Sequence, residues 1–240
     1  MISVCLPTYN GEKFIQQQLD SILNQSVAIN ELIISDDSST DRTIEIIKSY
    51  TDNRITLIEN QKFSSPVFNL ENALKQAKGD YIFLADQDDI WYPNKVKIVL
   101  EHLENHNLVV SDCKLIDKDN TILVGSFYKL INSGQGFFKN FIKNTYLGCC
   151  MAFDRSVLEY VLPFPKSIAI HDHWIGLNAE LFSSIYFCDE QLVGYRKHEN
   201  NQTPFTGGVS KNSFIYKLIY RVEMLMAIVM NVIKKLKLKT

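Results

Sequence analysis

The sequence predicts an α/β domain: a mainly parallel sheet flanked by helices, closed by a C-terminal amphipathic helical tail. Three observations carry that expectation. Short apolar runs rich in β-branched residues alternate with helical periodicity through the first half of the chain, the pattern of βαβ units. Their βαβαβαβ order requires right-handed crossovers and hence parallel strands. The polar chemistry falls at one kind of place, the carboxyl ends of the strands, where such sheets bind ligands.

The elements follow in order. A first strand is expected over residues 2–6, and then a helix over residues 12–25 that puts Phe14, Ile15, Leu19, Ile22 and Leu23 on one face. Residues 31–35 form a second strand. The helix after it, near residues 42–50, has Thr40 or Asp41 available as its cap. A strand at residues 54–59 and a helix at 67–77 lead to the apolar run Tyr81-Ile82-Phe83-Leu84-Ala85. Pro93 opens the next helix, with Val96, Val99, Leu100 and Leu103 inward. Farther on, Leu147-Gly148-Cys149-Cys150-Met151-Ala152-Phe153 reads as a strand with small residues at a close approach.

Charge is segregated. The formal net charge is −2, but residues 211–240 carry seven Lys/Arg against the single Glu223, which makes that tail +6 and leaves −8 for residues 1–210. A body of that sign with no basic stripe repels phosphate backbones, which excludes nucleic acid as its partner. Cys5, Cys113, Cys149, Cys150 and Cys188 are odd in number and form no CxxC pair, so reduced, buried thiols of a cytoplasmic protein are expected rather than a disulfide frame. The start, Met1-Ile2-Ser3-Val4-Cys5-Leu6, lacks a basic leader region and reads as a strand rather than a signal peptide.

The most telling string is Asp86-Gln87-Asp88-Asp89, placed directly after a run that reads as a buried strand. Like charges so crowded repel unless a cation joins them, and hard oxygen ligands suit Mn²⁺ or Mg²⁺, ions that in turn hold a diphosphate. Two other loops would share that edge: Pro7-Thr8-Tyr9-Asn10-Gly11 after the first strand and Ser35-Asp36-Asp37-Ser38-Ser39-Thr40-Asp41 after the second. Tyr9 offers a flat face for a base. Asp37 can accept from the imide N–H of uracil or thymine, or else serve with Asp36 and Asp41 as a helix cap.

These strings, with Gly79-Asp80 before the fourth strand, Ile90-Trp91 after the cluster and His171-Asp172-His173-Trp174 later, resemble those of glycosyltransferase family 2 in order and spacing over residues 1 to about 200. The family comprises inverting nucleotide-sugar enzymes of the GT-A fold. The Asp-Gln-Asp-Asp-Ile-Trp form and Tyr195-Arg196-Lys197-His198 are most similar to rhamnosyltransferase-like bacterial polysaccharide enzymes. The resemblance implies a GT-A domain over residues 1–210, with a nucleotide-binding part at about 1–112 and an acceptor part at about 113–210. It places Pro7, Tyr9, Asp37 and Asp86 on the nucleotide, Asp88 on the metal with Asp86 and His198 as further candidates, and Asp172 as general base. Asp89, Trp91, His171, His173 and Trp174 are expected around the metal or the acceptor. The implied partners are a UDP- or dTDP-type sugar, a divalent metal, and a glycan or lipid-linked acceptor. A nucleotidyltransferase would use similar carboxylates but a glycine-rich basic loop, which Pro7-Thr8-Tyr9-Asn10-Gly11-Glu12-Lys13 is not. A non-catalytic sugar-nucleotide-binding protein would have no use for Asp88 and Asp172 together.

His171 and His173 flanking Asp172 invite a zinc reading that no third ligand supports nearby; a helix-capping Asp between packed imidazoles is the alternative. Residues 199–211 are expected to close over a bound donor. The tail, residues 211–240, has an apolar helical stripe and ends Lys234-Lys235-Leu236-Lys237-Leu238-Lys239. Its uncharged run is too short to span hydrocarbon of roughly 30 Å. It suits peripheral attachment at the inner face of the plasma membrane, docking on the domain, or a homodimer contact.

Overall fold

The computed structural model describes residues 1–197 and 214–237. His198 and the expected closing segment, residues 199–211, lie outside the described residues. The strands are β1 (Ile2–Thr8), β2 (Glu31–Asp36), β3 (Ile55–Ile58), β4 (Tyr81–Leu84), β5 (Ile90–Trp91), β6 (Leu108–Ile116), β7 (Ile122–Val124), β8 (Met151–Asp154) and β9 (Ile185–Arg196). The helices are α1 (Ile15–Leu23), α2 (Thr43–Lys48), α3 (Pro66–Gln76), α4 (Lys95–Leu103), α5 (Phe127–Ile131), α6 (Phe137–Ile142), α7 (Leu158–Val161), α8 (His171–Phe182) and α9 (Phe214–Lys237).

One sheet runs β3-β2-β1-β4-β8-β6-β9-β5, with β7 hairpinned onto β6. The half read from the alternation, β3-β2-β1-β4, is parallel throughout. Val4, Cys5, Leu6, Ile33, Ile34, Ile82 and Phe83 are all buried there, as near-continuous apolar strands covered on both faces must be. Beyond β4 the directions mix. β8 runs antiparallel to both β4 and β6, β9 runs parallel to β6, and β5 antiparallel to β9. This mixing turns the second half of the sheet back toward the carboxyl ends of β1, β2 and β4.

Local chemistry explains several boundaries. Ile15, Leu19 and Ile22 are buried on α1 as its period requires, while Phe14 stays half-buried under the Arg196 guanidinium, 4.6 Å from its ring. The cap of α2 is Arg42, without a side-chain cap bond, rather than Thr40 or Asp41; Asp41, one residue earlier, accepts from the N–H and hydroxyl of Thr43. The strand expected at residues 147–153 is shorter: Gly148–Cys150 forms a single 3-10 turn and only Met151–Asp154 extends. A Cβ on Gly148 would lie 2.6 Å from His171 Nε2, so the close approach does require glycine. Among the described residues no helix is long and apolar enough to cross a membrane.

Candidate active site

The three loops expected on one edge do meet. Gln87 clasps Tyr9 by both main-chain groups: the Tyr9 N–H donates to Gln87 Oε1 and Gln87 Nε2 donates to the Tyr9 carbonyl, each at 2.9 Å. A Cβ on Gly11 would fall 2.5 Å from Gln87 Oε1, so the contact needs glycine there. Asn10 bridges to the second loop, its Oδ1 accepting from Thr40 N at 2.8 Å. The ring of Tyr9 is 53% exposed, which leaves its face open to a ligand. Pro7, half-buried on β1, aligns with Ser35 of β2.

Asp36 and Asp37 do different work. Asp36 is fully buried and accepts from Thr8 Oγ1, Ser39 N and Ser39 Oγ, knitting the first two loops together. Asp37 is half-buried and accepts from Phe63 N at 2.6 Å and Ser65 N at 3.2 Å. It does not cap the helix that follows it. It ties down the loop before α3 instead.

The acidic cluster sits just past β4. Asp89 is fully buried; its Oδ1 accepts from Arg196 N at 2.9 Å, and its Oδ2 has no hydrogen-bond donor. Burial, then the charges of Asp88 and Asp86, push its carboxyl well up. Asp86 is pushed up to about 7, by burial first, then by Asp88 and Asp172. Such shifts mark carboxylates that lack enough positive charge. Asp86, Asp89 and Cys149 each present a ligand atom, all within 4.8 Å of one another. A buried acceptor with no donor and a raised carboxyl beside it fit a divalent cation. Burial holds the Cys149 thiol up and neutral, so the carboxylates are the hard ligands, suited to Mn²⁺ or Mg²⁺. The sequence pointed to Asp88 as metal ligand and Asp89 as its support. In the fold the turn directs Asp89 inward beside Asp86, and Asp88 is half-buried with its carbonyl held by Arg196 Nε at 2.7 Å.

Two cations underpin this turn. The fully buried Arg196 reaches Asp88 O with Nε, Asp117 O, Lys118 O and Asn120 Oδ1 with one terminal nitrogen, and Gln17 Oε1 with the other. Lys95 is also buried. Its Nζ donates to Cys149 O at 2.6 Å and lies 3.8 Å over the Trp91 ring. Burial pulls both Arg196 and Lys95 down from their ordinary values, while the carboxylates around them pull up.

Asp172 occupies the first turn of α8 and is buried. Its carboxyl is pushed up to about 6 by burial, opposed by hydrogen bonds from the Asn144 side chain and the main-chain N–H groups of His173 and Gly148; Asn144 Nδ2 donates to Oδ1 at 3.0 Å. Its charge adds to the rise at Asp86, after burial and Asp88. His171 packs against Gly148 and is pushed down to about 4 by burial, so it stands beside Asp172 as a neutral imidazole.

Three residues expected near the acceptor belong to the packing instead. His173 bonds Tyr220 Oη and the Asn140 carbonyl with its two ring nitrogens, which also leaves none for zinc. Trp174 Nε1 donates to Val161 O in the core. Trp91 is buried between Phe83 and Lys95. Conversely, Gln87, Lys95, Asn144, Cys149 and Arg196 earn their places only through long-range contacts that spacing does not display.

Comparison with known proteins agrees with this geometry. The pattern described as Glycosyl transferase family 2 matches residues 3–162. The chain is 30% identical over 168 residues to the UDP-Glc:alpha-D-GlcNAc-diphosphoundecaprenol beta-1,3-glucosyltransferase WfgD of Escherichia coli, covering 68% of this chain and 64% of that one. It is 28% identical over 214 residues to the dTDP-rhamnosyl transferase RfbG of Shigella flexneri, covering 82% and 73% respectively. In fold it is similar to residues 1–349 of S. aureus TarS in complex with UDP-GlcNAc, with a TM-score of 0.72 at 21% identity over 95% of this chain and 66% of that one. The chain thus spans just under two thirds of WfgD and of that TarS fragment. The match across both its nucleotide-side loops and its acidic turn makes the chain a member of glycosyltransferase family 2.

Proposed function

We propose that the chain moves a sugar from a UDP- or dTDP-type donor to a hydroxyl of a glycan or lipid-linked acceptor, in bacterial surface polysaccharide synthesis and with inversion. The observation that carries this reading is the acidic turn, where ligand atoms of Asp86, Asp89 and Cys149 lie within 4.8 Å of one another and Asp89 Oδ2 is buried without a partner, with the raised carboxyl of Asp172 as the second acid of the site. The names of two relatives support a pyrimidine nucleotide, UDP in WfgD and dTDP in RfbG; RfbG keeps rhamnose among the sugars to test. WfgD's name also supports a diphosphate-lipid acceptor.

Tyr9 stacks on the base, with Pro7 and Asp37 shaping the wall behind it. Asp86, Asp88 and Asp89 hold the divalent ion, and His198 is a further candidate for that ion or the diphosphate. The ion, when bound, neutralises the diphosphate leaving group. Asp172 takes the proton of the acceptor hydroxyl as its oxygen attacks the anomeric carbon, a role a carboxylate near 6 fills better than one at its ordinary 3.8. Asn144 holds that carboxylate in orientation, and direct attack opposite the leaving group inverts the configuration. The work belongs at the cytoplasmic side, at or near the membrane.

The test is a thermal-shift panel of UDP-, dTDP- and GDP-sugars with Mn²⁺, with Mg²⁺ and with chelator, since a bound ligand raises stability by mass action. It is followed by an assay for metal-dependent nucleoside diphosphate release. Release of pyrophosphate instead, or no metal-dependent stabilisation by any sugar nucleotide, would overturn the reading.

A further inference from the structure

Helix α9 is mounted with its apolar side outward. Among the described side chains of α9, Met224 and Ile228 are buried against the domain and Tyr220, Ala227 and Val232 partly so, helped by Asn231, which donates to Tyr160 O and Asn178 Oδ1 at 2.6 Å each. Ile215, Leu218, Val222, Leu225, Val229 and Met230 are all exposed, Met230 by 71%. Among the exposed positions from 215 to 236 the single charged one is Lys234. Soluble helices turn their polar face to water; this one does the reverse. The patch continues onto α6, where Phe138 and Ile142 stand one turn apart, 79% and 65% exposed. The two helices are joined by Arg221, whose guanidinium donates to the Ile142 carbonyl. An exposed apolar surface of this extent marks an interaction site.

Charge selects the occupant. Described α9 carries Lys217, Arg221, Lys234, Lys235 and Lys237 against Glu223 alone, and Lys139 and Lys143 flank the exposed pair on α6. Cations therefore lie in the sequence at both ends of α9 and beside the exposed pair of α6. A second copy docked through α9, parallel or antiparallel, would set these cations against cations. An anionic lipid surface satisfies both features, with acyl chains under the apolar face and headgroups at its basic border.

We propose that α6 and α9 together form the surface by which this chain lies on an anionic bilayer. The proposal rests on the glycosyltransferase reading only for its purpose. His173, next to Asp172, bonds both helices, Asn140 of α6 and Tyr220 of α9. The base is therefore braced on the elements that touch lipid, about one helix diameter, roughly 10 Å, from the bilayer, where the head of a lipid-linked acceptor would stand.

Co-sedimentation with phosphatidylglycerol–phosphatidylcholine vesicles tests it on the full chain, without donor or acceptor. Binding at low salt is expected, with little to pure phosphatidylcholine and release as salt shortens the Debye length from about 10 Å toward 3 Å. Leu218→Glu and, separately, Phe138→Glu should each weaken binding about tenfold or more, with an unchanged unfolding transition because both side chains are exposed. Retained binding by Phe138→Glu would remove α6 from the surface. No binding by the unmodified chain at low salt would overturn the proposal, and so would a dimer in light scattering that Leu218→Glu dissociates. Vesicle binding without nucleoside diphosphate release would instead count against the catalytic reading alone.

Discussion

Replacing Asp86 with Asn should make the metal-free protein more stable, although Asp86 belongs to the site. In the fold its carboxyl titrates near 7 rather than near its ordinary 3.8. For an acid whose value is raised by folding, the penalty is absent below the unfolded value and grows between the two. It is complete above the folded one, where a gap of about three pH units corresponds to about 4 kcal/mol. That figure is a ceiling, because Asp88 and Asp89 share the repulsion; half of it, about 2 kcal/mol, is still a large effect for one side chain. An Asn keeps the shape and leaves intact the bond from Gln18 Nε2, which goes to the main-chain oxygen of Asp86. The assay is urea unfolding with chelator across a pH series. The gain from Asp86→Asn should vanish near pH 4, grow through pH 5–7 and level off above about pH 8. Added Mn²⁺ should invert the order, stabilising the unmodified chain and leaving the variant nearly unmoved. A variant no more stable than the parent at alkaline pH without metal would refute the view that this turn is held together against its own charge.

Asp172→Asn should bind donor normally and lose transfer by roughly 10²–10⁴-fold, since an amide cannot take the proton; transfer within a few-fold of the parent would move the base elsewhere. The parent's turnover should rise with pH through about 6, where Asp172 loses its proton. Asn144→Ala should shift that limb upward, because a hydrogen bond favouring the charged form is gone. Asp88→Asn should abolish metal-dependent nucleoside diphosphate binding in calorimetry with circular dichroism unchanged, and undiminished affinity in Mn²⁺ would release Asp88 from the ion.

What was legible in the chain was what local pattern encodes. The strands β1, β2 and β4 bury continuous apolar runs, and each ends in a loop whose residue types are odd for a surface turn, so both the parallel half-sheet and the meeting of these loops at one edge could be read. The second half resisted for a physical reason. In β6 the apolar run is broken by Ser111 and Asp112, yet both are buried. Asp112 is satisfied at a distance by Ser126 Oγ, Tyr128 N and Gln191 Nε2. A strand whose polar residues are satisfied largely by later segments gives no period to count. The tail shows the opposite failure: its stripe was visible, but periodicity cannot say whether an apolar face turns inward or outward.

The same distinction separates the visible acids of the site from its hidden supports. Three clustered carboxylates announce themselves because repulsion makes them improbable without a purpose. Lys95 looks like any helix lysine and Arg196 like any residue at a strand end. They matter because folding buries them under the acidic turn, where Arg196 holds the Asp88 carbonyl and one carboxylate oxygen of Asp89 and Lys95 holds the Cys149 carbonyl. This division keeps the turn rigid without neutralising it. Arg196 Nε donates to the Asp88 carbonyl and its main-chain N–H to Asp89 Oδ1, and Asp89 Oδ2 still lacks a donor. A turn held at the Asp88 carbonyl and at one oxygen of Asp89 keeps its remaining carboxylate oxygens in place, so on the proposed reading the site for a cation is built before the ion arrives.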